Sequence, residues 1–482
     1  MWRLRAAIVT PFFVAYAICA VLRHWHFRSS GYDLGIFDQA VWHYSRFEWA
    51  GSSFTGFANI LGEHFHPILM LLAPAYWIIA RPETLLVLQA AIVALSLVPV
   101  FHYADTRLGR PAALMLTVAY GLFWGIQRLI AFDFHELAFA PLFIASAILA
   151  VDRRRFTWAW VSVGMLLLVK EDQALFVIAL GLLMTIRRDT RAHGAAMAGA
   201  GLLWFLFFVQ VVMPKLAGSS QYVFAGTYGA FGGSLPEVGW TVLTRPGDIA
   251  SALFVPAEKL RTLVLWFGPW LLLPLASPLA LLTLPLILER FLSASPNHWG
   301  AAFHYSAPMA PILAMAAADG LARVQAGTWT GGNRGRRTVT AATAVMLVLC
   351  AILPGRLPLW SLFSPRTWTF SAAERAGWAV MALVPGDVSV VAQDAVAPHV
   401  SQRAAIFTLR PGAPDADLVL AAPALSPWPL DSADGVARLL EERKAAGYRV
   451  LLDDGAWIVL AGPKWQGLDP YRTIRPIAAG AR

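Results

Sequence analysis

The chain has 482 residues, of which 58% carry hydrophobic and only 14% charged side chains, against roughly 25% charged in an ordinary soluble protein. That balance excludes a soluble globular domain and points to a polytopic α-helical membrane chain. The 38 Lys and Arg against 29 Asp and Glu give a net charge of +9, which loop topology has to account for before any nucleic-acid partner is invoked.

A spanning helix needs about 20 mostly apolar residues. Runs of this kind cover 6–22, 84–103, 111–127, 137–151, 157–169, 174–186, 195–213, 263–276, 279–288, 306–322 and 339–353. They number about eleven, several of them short. The first follows Met1-Trp2-Arg3-Leu4-Arg5 without a small-residue cleavage site, so it reads as a retained anchor with a cytoplasmic N-terminus. If crossings alternate from there, Arg107 and Arg110, Arg153 to Arg155, Arg187, Arg188 and Arg191, and Arg334, Arg336 and Arg337 all fall on the cytoplasmic side. The positive-inside rule is then met throughout, and much of the +9 is explained without nucleic acid. The apolar stretch 67–80 is short and interrupted by Pro74; it reads as re-entrant or interfacial, because a crossing there would invert every later loop. Cys19 and Cys350 both lie in apolar runs and build neither a disulfide framework nor a Cys-based metal site.

The same register collects acids and imidazoles on the outer face, where ionisable groups at membrane depth are costly and usually functional. In the first outer loop, 23–66, the residues Leu34, Phe37, Val41 and Tyr44 recur at helical spacing, which predicts a helix lying on the membrane surface. Asp33 precedes its first turn, as an N-cap or a functional carboxylate. Asp38 sits inside the helix, where capping is unavailable; it is either a solvated surface acid or a general base toward an alcohol.

Glu63-His64-Phe65-His66-Pro67 closes the loop, and Asp133-Phe134-His135-Glu136 forms the next outer turn. Glu63, His64, His66, Asp133 and His135 supply donors for a divalent cation, for hydrogen bonds or for substrate phosphate, but their spacing is no known metal motif, so a cofactor stays open. Lys170-Glu171-Asp172 is either an ordinary interfacial loop or a Lys that neutralises phosphate beside Glu171 and Asp172, which orient it or a sugar hydroxyl. Arg290, with Arg128, Lys259 and Arg261, is a candidate phosphate clamp or a snorkelling helix-end residue. His304 and Tyr305 fall on the same side. The outer loop 214–260 is long enough to be functional. No Gly-rich phosphate loop follows a strand and no nucleophile elbow is present, which excludes soluble nucleotide chemistry.

Beyond residue 353 the spanning runs stop. Short β-rich stretches at 388–391, 405–409, 418–421, 449–452 and 457–460 alternate with helical patterns at 372–383 and 435–446. The expected organisation is a transmembrane domain, 1–353, and a small extracytoplasmic α/β domain, 354–482.

At Phe37-Asp38-Gln39-Ala40-Val41-Trp42, followed by Glu63-His64-Phe65-His66-Pro67, the chain resembles the GT-C class of polytopic glycosyltransferases, whose first external loop carries an Asp-Glu pair on an interfacial helix. It is most similar to an uncharacterised bacterial and archaeal membrane family with a domain of unknown function, at 33–39, 64–67, 133–135, 170–172 and 304–306. The resemblance implies an inverting transfer of a sugar from a polyprenyl-phosphate donor to a glycan, lipid or protein acceptor on the outer face. It assigns Asp38 as base or acceptor-orienting group beside Asp33, with Gln39 standing where the class has Glu. A transporter or flippase of a lipid-linked or polar solute, and a non-catalytic envelope assembly or sensor protein, are the rival readings.

Overall fold

The structure is a computed structural model that describes residues 2–327 and 332–473. Helices dominate, and one small sheet lies toward the C-terminal end. Among the described residues, four helices are long and apolar enough to cross a membrane: Arg3–Trp25, Pro82–Leu108, Arg191–Ala217 and Asn333–Ile352. A fifth span results if Arg110–Leu122 and Trp124–Ala131, bent by 41°, are taken together.

The other apolar runs fold as shorter or broken pieces, and prolines explain where. The run at 263–276 is not one helix. Helix Ala257–Phe267 gives way to a 3-10 turn, Gly268–Trp270, and Leu271 and Leu272 then take left-handed backbone at φ 57° and 58°. Pro269 and Pro274 cannot donate to a continuing helical ladder. The run at 279–288 likewise splits into the 3-10 segment Pro278–Thr283 and helix Leu284–Phe291. Within the second span the ladder slips at Ser96, three residues before Pro99; the Ser96 hydroxyl pairs with that of Tyr120 at 2.7 Å. The stretch at 67–80 is too short to cross: it forms the 3-10 segment Pro67–Leu72 and one helical turn, Ala73–Tyr76, followed by exposed Trp77, Ile78 and Ile79.

Small residues let two apolar helices cross closely. Helices Ala174–Thr185 and Arg191–Phe207 pack face to face, and a Cβ added to Gly194 would come within 2.6 Å of the Gly181 carbonyl oxygen. Such backbone approach is how apolar helices gain dispersion contact where no water is left to expel.

The C-terminal region forms a five-stranded sheet from β1 (Val390–Ala392), β2 (Ile406–Thr408), β3 (Leu418–Ala421), β4 (Arg449–Asp453) and β5 (Ile458–Ala461). Its order is β2-β1-β3-β5-β4; the β1 pairings are parallel and the two β5 pairings antiparallel. β1 and β3 are buried along their whole length, as central parallel strands require, and β4 is the exposed edge. Helix Ala372–Ala382 starts with a capping box from Ser371 and Glu374. It joins the sheet to the membrane region: the Trp457 indole donates to the Ala373 carbonyl at 2.8 Å, and its ring meets that of Phe27, just after the first span, in a tilted contact with centroids 4.9 Å apart.

Gly194→Val forces the two apolar helices apart and should cost about 1–3 kcal/mol by overpacking. The expected result is a lower unfolding midpoint and a lower yield of monodisperse protein than Gly199→Val, where a Cβ meets open space; equal behaviour of the two variants would contradict the packing argument.

Candidate functional site: a polar chamber beneath the outer domain

Helix Ile36–Ser45 begins through a π turn, Gly31–Gly35. Ser30, not Asp33, caps it, accepting from the Tyr32 amide at 3.1 Å. Asp33 is therefore free of capping and pairs instead with His135, Nε2 to Oδ1 at 3.2 Å. The two groups face a polar cavity of 570 Å³, and Glu63, His64, His66, Asp133, Lys170, His304 and Tyr305 also line it.

Each wall has a local cause. Gln89 fixes the turn that carries Asp133 and His135, donating to the Asp133 carbonyl and accepting from the His135 amide at 3.0 Å. Asp133 itself takes left-handed backbone at φ 57° and accepts from the Ser30 amide at 2.7 Å. The His135 and His304 rings lie 3.6 Å apart between centroids. Glu171 is buried and fully engaged: it accepts from His64 Nδ1 at 2.8 Å, the Phe65 amide at 2.9 Å and the Tyr222 hydroxyl at 2.9 Å.

Lys170 is the one ammonium among these acids, 3.4 Å from Glu136. Burial alone would push its pKa down, but Glu136, Asp172 and Glu171 outweigh burial and hold it above the usual lysine range. Burial raises Asp133 to about 6 against the opposing charge of Arg23, and lowers His66 to about 4. Burial also lowers His304, with His135 and Lys170 adding to the effect.

Behind Lys170 lies a second cavity of 390 Å³ with mostly apolar walls, including Leu137, Leu235, Val238 and Leu286. His64, Lys170 and Tyr305 line both, so the ammonium stands on the partition between an apolar and a polar space. Asp172 and Arg290 belong to the apolar side alone. Arg290 is largely occupied, donating to the His298 carbonyl at 2.6 Å, the Gly300 carbonyl at 3.2 Å and the Ser306 hydroxyl at 2.7 Å.

Two of the expected site residues, Asp38 and Gln39, lie outside the chamber lining. Asp38 does not reach the chamber. It is completely buried, and its carboxylate accepts from the hydroxyls of Tyr76 at 2.5 Å and Ser401 at 2.6 Å and from the Gln402 amide at 3.0 Å. A carboxylate so engaged has no room for a substrate alcohol; it fastens the outer domain to the first-loop helix. Gln39 has the same duty, bonding Ser53 and the Arg403 carbonyl, each at 2.9 Å. The reason is helical geometry: Asp33 leaves the helix at its start, whereas Asp38 and Gln39 lie on the flank that the outer domain covers. As for a cation, no group of three or more His, Cys, Asp or Glu among the described residues is arranged to hold a metal ion.

The outer domain adds groups that the sequence reading missed. Asp394, just past the end of β1, lines the chamber with Ser426 and Trp428. The available signal was the rule that ligands bind beyond the carboxyl ends of parallel strands. Asp394 accepts from the Gly31 amide at 3.0 Å and the Tyr32 amide at 3.3 Å, and burial raises its pKa to about 7.

Comparison with known proteins follows this geometry. The solved structure of ArnT from Cupriavidus metallidurans bound to undecaprenyl phosphate matches with a TM-score of 0.51 at 13% identity, over 95% of this chain and 98% of that one. The same protein in the apo state gives 0.52 at 14% identity, over 94% and 97%. At such identity the likeness is one of fold. No curated protein matches the chain. A family model described as predicted membrane protein, DUF2079, matches residues 23–455.

Two consequences are measurable. Asp38→Ala strands two hydroxyls and an amide in a dry interface and should cost about 3 kcal/mol, read as a lower unfolding midpoint and faster proteolysis around residues 383–390. Asp394 has a folded-state pKa above the ordinary 3.8, so the folded protein binds this proton more tightly than the unfolded chain. Its contribution to stability is complete below about pH 4 and is lost as pH rises through 7. Asp394→Asn, neutral at every pH, should flatten that decline between pH 5 and 8 in thermal unfolding; parallel curves for variant and wild type would exclude it.

Proposed function

The chain belongs to the DUF2079 family of predicted membrane proteins, and from that premise we propose that it is a membrane glycosyltransferase using a polyprenyl-phosphate sugar donor. The observation that carries this reading is the position of Lys170 on the partition between an apolar and a polar cavity, in a fold shared with a protein solved with undecaprenyl phosphate. A polyprenyl tail needs an apolar groove, its phosphate a cation at the mouth of that groove, and the sugar and acceptor a polar space beyond. Lys170 supplies the cation exactly where the two spaces meet.

In this scheme the acceptor hydroxyl oxygen attacks the sugar's anomeric carbon. The bond from that carbon to the phosphate oxygen breaks, and both electrons leave with the phosphate. Lys170 offsets the charge that develops there. Asp33, held by His135, takes the hydroxyl proton as general base. His304 stacks on His135 and Asp133 shapes the turn behind it, so both position the pair. Glu63 and His66 line the space left for the acceptor, and Glu171 steers His64. Inversion at the anomeric carbon follows the GT-C resemblance.

The proposal includes an arrangement in the membrane. With about eleven crossings alternating from a cytoplasmic N-terminus, the arginine clusters face the cytoplasm, and the chamber and the domain from residue 354 onward lie outside. A cysteine replacing the exposed Trp428 should then react with an impermeant thiol reagent applied to intact cells.

Extraction of lipid-linked sugars tests the chemistry. Cells lacking the protein should accumulate one polyprenyl-phosphate sugar, which the wild-type chain clears. Lys170→Met and Asp33→Asn should lower transfer by about a hundredfold or more, and Lys170→Arg should retain part of it. No accumulating donor, or full clearance by Lys170→Met protein, would refute the reading.

A further inference from the structure

A third cavity, of 970 Å³, adjoins the polar chamber. Arg23, Arg128 and Arg356 line it, and no Asp or Glu does. Arg23 and Phe132 also line the chamber, so the two spaces share a wall. The electrostatics are lopsided. Among the described residues, arginines such as Arg107, Arg154 and Arg443 form ion pairs with carboxylates, and none of these three does. Arg23 spends one N–H on the Arg28 carbonyl at 3.0 Å, and the Nε groups of Arg23 and Arg128 are buried with no partner. A guanidinium N–H withdrawn from water and left unbonded is costly unless a ligand completes it.

The position of the cavity indicates what completes it. Arg23 stands at the end of the span Arg3–Trp25 and Ile352 ends the span Asn333–Ile352, and both line the space. Two spans therefore leave the bilayer beside it, which is the level of lipid headgroups. Cys19, one helical turn before Arg23, adds an apolar surface, and the half-exposed Trp360 lines the rim, as indoles do at membrane interfaces. The guanidinium fork matches phosphate oxygens in bidentate fashion, and a phosphate monoester carries about −1.5 to −2 charges at neutral pH. Such a group balances three gathered cations better than a single carboxylate does.

We propose that Arg23, Arg128 and Arg356 form an anion site that holds a phosphate-bearing headgroup at the membrane surface, separate from the Lys170 partition. The proposal does not rest on sugar transfer, because its readout is binding. Calorimetry on the purified full-length protein in detergent, with dioctanoyl phosphatidic acid as probe and dioctanoyl phosphatidylcholine as control, tests it. The expected result is saturable binding of the phosphatidic acid alone. Affinity should fall about tenfold or more in Arg128→Gln/Arg356→Gln protein and not in Arg187→Gln/Arg188→Gln protein, which loses the same charge from an exposed loop. Arg356→Gln alone, on an exposed side chain, gives the same direction should the double variant fail to fold. Displacement by inorganic phosphate would assign the site to the phosphate group itself; resistance to displacement would assign it to the lipid-borne form. Equal binding of both lipids, no binding of either, or unchanged affinity in the variants would overturn the proposal.

Discussion

The whole polar chamber depends on how the loop after the first span is clamped. Asp394 receives the amides of Gly31 and Tyr32, while Asp38 receives two hydroxyls and an amide from Tyr76, Ser401 and Gln402. One carboxylate comes from the sheet and one from the loop helix, so each side supplies the acceptor that the other needs. Buried donors of this kind are expensive to leave unmet. The loop is thereby fixed under the α/β domain, and the space enclosed between them becomes a chamber instead of an open surface.

Charge is divided among three cavities that share wall residues. An apolar space meets a polar one at Lys170, and the polar space meets a basic one at Arg23. The acids Asp33, Glu63 and Asp133 line the polar space, which both cations border. A neutral or hydroxyl-bearing group is favoured in the centre and an anion at either boundary, by simple electrostatics in a partly dry site. A different set of carboxylates, Glu136, Asp172 and Glu171, holds Lys170 charged despite its burial.

The elements around the small sheet were legible because its strands and helices are short and regular. Every β-rich stretch in the sequence became a strand within about two residues, and both helical patterns formed, at Ala372–Ala382 and Ala433–Ala445. The membrane region was legible as membrane but not as a count of helices. Hydropathy measures composition, and the runs at 263–276 and 279–288 have the composition of spans; their prolines break the hydrogen-bond ladder and leave 3-10 turns and left-handed residues. Several of the acids and imidazoles singled out in the sequence, among them Asp33, Glu63, His64, His66, Asp133, His135 and His304, line one cavity, because turns joining successive helices come together at the ends of the bundle.

Sequence alone was enough for a membrane chain with short strands toward its C-terminal end and a set of polar turns, since composition and periodicity are local properties. Which of those polar residues look into the chamber was decided by tertiary structure. Asp33 and Asp38 stand five positions apart in one short segment, and nothing local distinguishes a carboxylate open to a ligand from one consumed by an interface. The distinction arises only when the strand carrying Asp394 and the turn carrying Ser401, more than three hundred residues away, close over one flank of the helix and leave the other uncovered.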